Sequence, residues 1–268
     1  MARPLYKSSH FFPIGLQHTS SIQVKWKIWH ILLSAIHFHH QNPTTKYLQP
    51  SIICPSDNWL TDEHLGLLHL MIDNNKIILP DYIDVTLSKT TMCLITFFFS
   101  KLKEDEYEAL EWLEISLKRK DLLTHSGHIL IEELLIPINL NNQHWILVTI
   151  DVKHHCYYAI NPYNPLLPTT FELSIASFIT EALSRKFNLQ VQKFTDRSPN
   201  NVHNLPIQLP NDTINCDVYV SMYLVIYAFG TFQQPYIGNL LIPKTIDECR
   251  VMITAWFLKG EIFFLHTT

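Results

Sequence analysis

His144 opens an apolar run, HWILVTID, that ends at Asp151. The chain then turns and returns as HCYYAIN, ending at Asn161. A hairpin centred between Val152 and Lys153 sets His144 directly opposite Asn161. Directly opposed residues have Cβ atoms about 4.5–5.5 Å apart. An amide oxygen at that distance can hold an imidazole in one tautomer and aim it at a nucleophile. Cys216 is the candidate nucleophile, because it heads an apolar, helix-like run, CDVYVSMYLVIYAF. At a helix N-terminus its sulfur lies near unpaired N–H groups and the positive end of the dipole, which favour the thiolate.

These side chains need a sheet and a helix to carry them. Strands are expected at 92–98, 133–139, 144–151 and 155–161, with another at 188–194. The hairpin strands are apolar on both faces, which places them in the middle of a covered sheet. Thr61 precedes Asp62 and Glu63 as the cap of a helix reaching Asp73. A helix over 104–118 begins acidic and ends basic, as its dipole prefers. Further helices are expected over 170–187, 216–228 and 246–258. Residues 1–50 read as an extension with an amphipathic helix through Ile36 and a linker near Pro43. The cluster His37, His39 and His40 reads as a solvated helix end rather than a metal site, because no Cys or carboxylate stands nearby.

Composition removes several function classes. The chain has 268 residues, of which 47% are hydrophobic and 16% charged, a balance that folds. A net charge of −4 gives no general reason to bind nucleic acid. Six glycines include no GxGxxG or GxxxxGK[ST] loop. The five cysteines, Cys54, Cys93, Cys156, Cys216 and Cys249, form no C-x-x-C pair. No signal peptide or membrane-length apolar stretch is visible. An intracellular setting, nuclear or cytoplasmic, is expected, with no membrane or nucleic-acid partner and no metal or cofactor.

Four stretches, in order, resemble the ubiquitin-like-protein proteases, the SUMO-specific (sentrin-specific) cysteine proteases. They are WLTD at Trp59–Asp62, FFFSKL at Phe97–Leu102 with Tyr107 and Trp112 after it, LLIPINLNNQHWILVTID at Leu134–Asp151, and NDTINCDVYV at Asn211–Val220. The resemblance covers roughly residues 51–260. It implies an α+β, papain-like catalytic domain over 51–268, with a mixed central sheet flanked by helices. It also implies a thiol protease that cleaves peptide or isopeptide bonds after the C-terminal Gly-Gly of a ubiquitin-like modifier, SUMO foremost, and acts as a monomer.

The resemblance assigns Cys216 as nucleophile, His144 as base and Asn161 as its orienter. It gives the oxyanion to a glutamine shortly before the cysteine and to the cysteine's own N–H. The usual glutamine position is Pro210 here, so Gln208, two residues earlier, is the candidate. Trp59 and Trp145 match the tryptophans that cover a narrow tunnel for the Gly-Gly tail. Arg250 matches an arginine with a structural role. Three departures stand out: Asn161 replaces an aspartate, Pro210 replaces the glutamine, and Asp217 replaces a glycine. A partly solvated Asp217 would weaken the dipole's support for the thiolate. These departures support one rival reading, a protease-like module that binds a ubiquitin-like tail without cleaving it; a second rival is a mobile-element-derived processing protease.

Overall fold

The computed structural model describes residues 60–74, 76–78, 90–164, 169–187, 207–209, 211–212, 214–228 and 245–263. The expected extension over 1–50, its histidine cluster, Trp59, Pro210 and the strand at 188–194 lie outside these residues.

Helix α1 spans Asp62–Asp73, and Thr61 is its N-cap. The Thr61 N–H donates to His64 Nδ1 at 3.0 Å. Strand β1 is the pair Ile77–Ile78, and β2 is Thr91–Cys93. Helices α2, Phe98–Glu104, and α3, Glu106–Arg119, follow. The expected strand at 92–98 is therefore only three residues long, because FFFSKL turns helical. Phe98 and Leu102, four apart, put one buried face of α2 on the core. Asp105 ends α2 and caps α3, accepting the Glu108 N–H at 3.0 Å.

Strands β3, Glu133–Leu140, β4, His144–Asp151, and β5, Cys156–Ile160, form an antiparallel meander. Strand β2 pairs in parallel with β3, so the sheet is mixed and ordered β2-β3-β4-β5. Among the described residues β5 is an edge rather than a central strand. Helices α4, Thr170–Phe187, α5, Cys216–Tyr227, and α6, Ile246–Lys259, complete the layers. Gly260 stops α6 with φ 71°, the left-handed cap that glycine adopts without a Cβ penalty. Strand β6, Ile262–Phe263, then pairs with β1.

Alternation along β4 sends its side chains to two cores. Trp145 and Leu147 pack with α1, α5 and α6. Ile146, Val148 and Ile150 pack with α2, α3 and α4. With both faces covered, the apolar run of β4 is explained.

The hairpin register differs from the expected one. Asp151 pairs with Cys156 and Leu147 with Ile160, so the turn is Val152–His155 and its centre lies one residue later. A two-residue turn at Val152-Lys153 would place a β-branched residue where φ is positive. The longer turn puts the positive φ, 56°, at His155 instead. The Asp151 carboxylate holds it by accepting the His154 N–H at 2.9 Å. Each partner therefore moves by two residues, and a shift of two keeps every side chain on its face. Asn161 becomes a diagonal neighbour of His144 rather than its opposite.

Candidate active site

His144 enters β4 from a tight turn. Leu140 pairs with His144 across Asn141, Asn142 and Gln143. Asn141 and Asn142 take φ of 56° and 57°, a region that asparagine tolerates. The ring's Nε2 meets Asn161 Oδ1 at 3.0 Å. Asn161 Oδ1 also accepts the Tyr163 N–H at 3.0 Å. On its other side, Asn161 Nδ2 donates to Glu172 Oε1. Tyr163, in the turn after β5, stacks on the imidazole with ring centroids 5.2 Å apart. Burial lowers the His144 pKa, and Asn161 and the Glu172 charge oppose that shift.

Cys216 is the first residue of α5 and is 1% exposed. The backbone N–H groups of Trp145, Asp217 and Cys216 itself act on its sulfur and favour the thiolate. Burial acts more strongly, and with Asp217 it pushes the thiol up to about 11. The sulfur thus lies against the backbone of the residue after His144. It also lies close enough to Tyr163 for a thiolate to raise the phenol's pKa, after burial itself.

Asp217 is not at the solvent edge. Its carboxylate is 0% exposed and accepts N–H groups from Leu60 and, at 2.7 Å, from Val218. Burial raises its pKa to about 6, against the pull of Arg250 and those N–H groups. Arg250, itself buried, reaches Asn215 Oδ1 at 2.6 Å, the Ile214 carbonyl at 3.3 Å and Asp217 Oδ1 at 3.9 Å. One guanidinium therefore grips the chain on both sides of Cys216. The Leu60 bond ties the segment just after Trp59 to the nucleophile helix.

Gln208 is buried beside the hairpin end. Its N–H donates to the Pro162 carbonyl at 2.9 Å, and its Nε2 to the Asp212 carbonyl at 2.6 Å. The Tyr163 hydroxyl donates to that same carbonyl at 3.1 Å. A primary amide has two N–H donors, so one remains for another acceptor. Trp145 sends its indole, 0% exposed, into the core that also holds Cys216 and Leu60. Tyr163, Glu172 and Asp212 are the site residues that sequence reasoning missed. Only Glu172 had a signal, a Thr169-x-x-Glu172 capping box, and that signal suggests nothing beyond a helix start.

A family model described as the Ulp1 protease family, C-terminal catalytic domain, matches residues 58–251. The chain belongs to this family of SUMO-specific cysteine proteases. Its fold is the Ulp1-like, papain-like α+β fold, and its domain is a cysteine-protease domain. The chain is similar to a structure of the SUMO protease Ulp1 with its catalytic cysteine oxidised to a sulfonic acid. That match has a TM-score of 0.56 at 18% identity and covers 84% of this chain and 94% of the other. A second Ulp1 structure, with the cysteine as a sulfinic acid, gives 0.52 at 20% identity over 76% and 78%. The C-terminal Ulp1 protease domain in complex with Smt3, the yeast ortholog of SUMO, gives 0.50 at 21% over 75% and 77%. Among curated proteins none matches the chain.

Proposed function

We propose that this chain hydrolyses the peptide or isopeptide bond after the C-terminal glycine of a ubiquitin-like modifier, SUMO foremost. The observation that carries the reading is the His144 Nε2–Asn161 Oδ1 bond, with the Trp145 N–H directed at the Cys216 sulfur. An amide oxygen accepts, so Nε2 carries the hydrogen and Nδ1 is left as the base. His144 Nδ1 takes the Cys216 proton as sulfur attacks the glycine carbonyl carbon. The resulting oxyanion is met by the Cys216 N–H and the second Gln208 Nε2 hydrogen. Collapse expels the amine, which takes its proton from His144 and leaves a thioester. Water, deprotonated by His144, then releases the modifier and restores the thiol. Selection of a Gly-Gly tail by exclusion of bulkier residues is the role the family resemblance implies for Trp59 and Trp145.

One observation favours the non-cleaving rival: a thiol buried and pushed up to about 11 is a poor resting nucleophile. A SUMO probe ending in a vinyl sulfone separates the two readings. The expected result is a covalent adduct at Cys216, absent in Cys216→Ala and in His144→Ala. Saturable binding of SUMO without any adduct would replace the hydrolase with the binding module.

A further inference from the structure

Glu172 is 4% exposed, and among the described residues no lysine or arginine forms an ion pair with it. A buried carboxylate is costly unless its oxygens are fully used. Both are used. Oε2 accepts the Thr169 N–H at 2.7 Å, and Thr169 Oγ1 accepts the Glu172 N–H at 3.3 Å, a reciprocal cap on α4. Capping occupies only Oε2. Oε1 accepts from Asn161 Nδ2, and Asn161 Oδ1 faces His144 Nε2.

This order has a direction. An ionised carboxylate only accepts hydrogen bonds, so it can face only the NH₂ end of the amide. The amide oxygen must then point at His144. An oxygen there accepts only from an N–H, so the hydrogen is placed on Nε2 and Nδ1 is freed. The Tyr163 N–H, which also donates to Oδ1, favours the same orientation, and Glu172 fixes the opposite end of the amide. A neutral amide also supplies no charge to an imidazolium, whereas Glu172 lies one side chain behind it.

We propose that Glu172 is a positioning residue of the active site, fixing the Asn161 amide and the His144 tautomer and supplying the negative charge that Asn161 lacks. This rests on the hydrolase reading for its purpose, but not for its test. The electrostatics agree in sign, since the Glu172 charge raises the His144 pKa against burial.

NMR titration of the His144 ring in the full chain needs no activity and so separates this proposal from the hydrolase reading. Wild type is compared with Glu172→Gln, Glu172→Asp and Thr169→Ala. Glu172→Gln should lower the His144 midpoint by about half to one unit, because it removes the charge and keeps the shape. Glu172→Asp should restore part of the shift. Thr169→Ala breaks the other half of the cap and should leave the midpoint in place. If a vinyl-sulfone probe labels the wild type, Glu172→Gln should slow labelling by up to about tenfold, the equivalent of one pKa unit. A His144 midpoint unmoved by Glu172→Gln overturns the proposal, as does an equal shift in Thr169→Ala, which would reduce Glu172 to a helix cap.

Discussion

Alkylation of Cys216 by iodoacetamide, followed against pH in wild type and Asp217→Asn, tests the electrostatics of the site. A thiol at about 11 is thiolate in only about one molecule in ten thousand at pH 7. The wild-type rate should therefore climb about tenfold per pH unit between about pH 7 and 9 without a plateau. Asp217 adjoins the thiol and raises its pKa, and its carboxylate is 0% exposed, so water does little to screen it. Removing that charge should lower the thiol by about half to one unit, which means three- to tenfold faster labelling at a fixed pH. Asp217 itself takes a proton near pH 6, so the advantage of the variant should be full above about pH 7 and fade below 6. Mass spectrometry of the Cys216 peptide gives the rate. Cys249, buried and pushed up to about 12, serves as a slow internal control. A wild-type rate already flat by about pH 7 would show a preformed thiolate–imidazolium pair and refute this reasoning. Identical rates for the two proteins at pH 8 would refute the role given to Asp217.

The same carboxylate sets a stability trend. Its folded pKa of about 6 lies above the ordinary 3.8, so the folded state holds the proton more tightly than the unfolded state. Stability from this group is lost as pH rises through that window, by up to about 3 kcal/mol. In urea unfolding, the stability of Asp217→Asn relative to wild type should rise between about pH 4 and 7, and a constant difference would contradict the buried charge. Separately, Asn161→Asp, which restores the family's usual residue, should slow labelling by a SUMO vinyl-sulfone probe rather than speed it. It would set a second carboxylate against Glu172. The double variant Asn161→Asp with Glu172→Gln should recover the loss, and additive effects would count against the coupling of the two residues.

The elements carrying the chemistry were legible because their signals were local and strong. The helix over 170–187 matches α4, and Cys216 opens α5 as expected. The expected opposition of His144 and Asn161 was wrong, but their side-chain contact holds because an error of two residues keeps each side chain on its face. The missed turn had a local cause, since Val152 disfavours the two-residue loop. The strand expected at 92–98 ran too far because Phe97 and Phe98 favour β structure, whereas burial of Phe98 and Leu102 together selects a helix. The burial of Asp217 was not legible at all. Its partners, Leu60 and Arg250, are far away in sequence and meet it only in the fold. Glu172 was hidden for a different reason. Its capping role is local and sufficient to explain its position, so nothing in the chain pointed to its second oxygen.

Burial raises the thiol and lowers the imidazole, so the proposed hydrolysis has to start from a neutral pair. A thiol at about 11 and an imidazole below its ordinary 6.5 leave proton transfer uphill by at least about 4.5 units, or about 6 kcal/mol. Attraction between the two charges, once formed, offsets part of that cost. With the thiol raised and the imidazole lowered, both shifts favour the neutral pair at rest. The thiolate is then made at the moment of attack, when each group that stabilises the imidazolium or the oxyanion contributes directly to rate. In that regime a single pKa unit from Glu172 contributes about 1.4 kcal/mol toward the charged pair. A site with an aspartate beside its histidine has that charge in direct contact. Here it stands one amide further away, and the amide's orientation carries its effect to the ring.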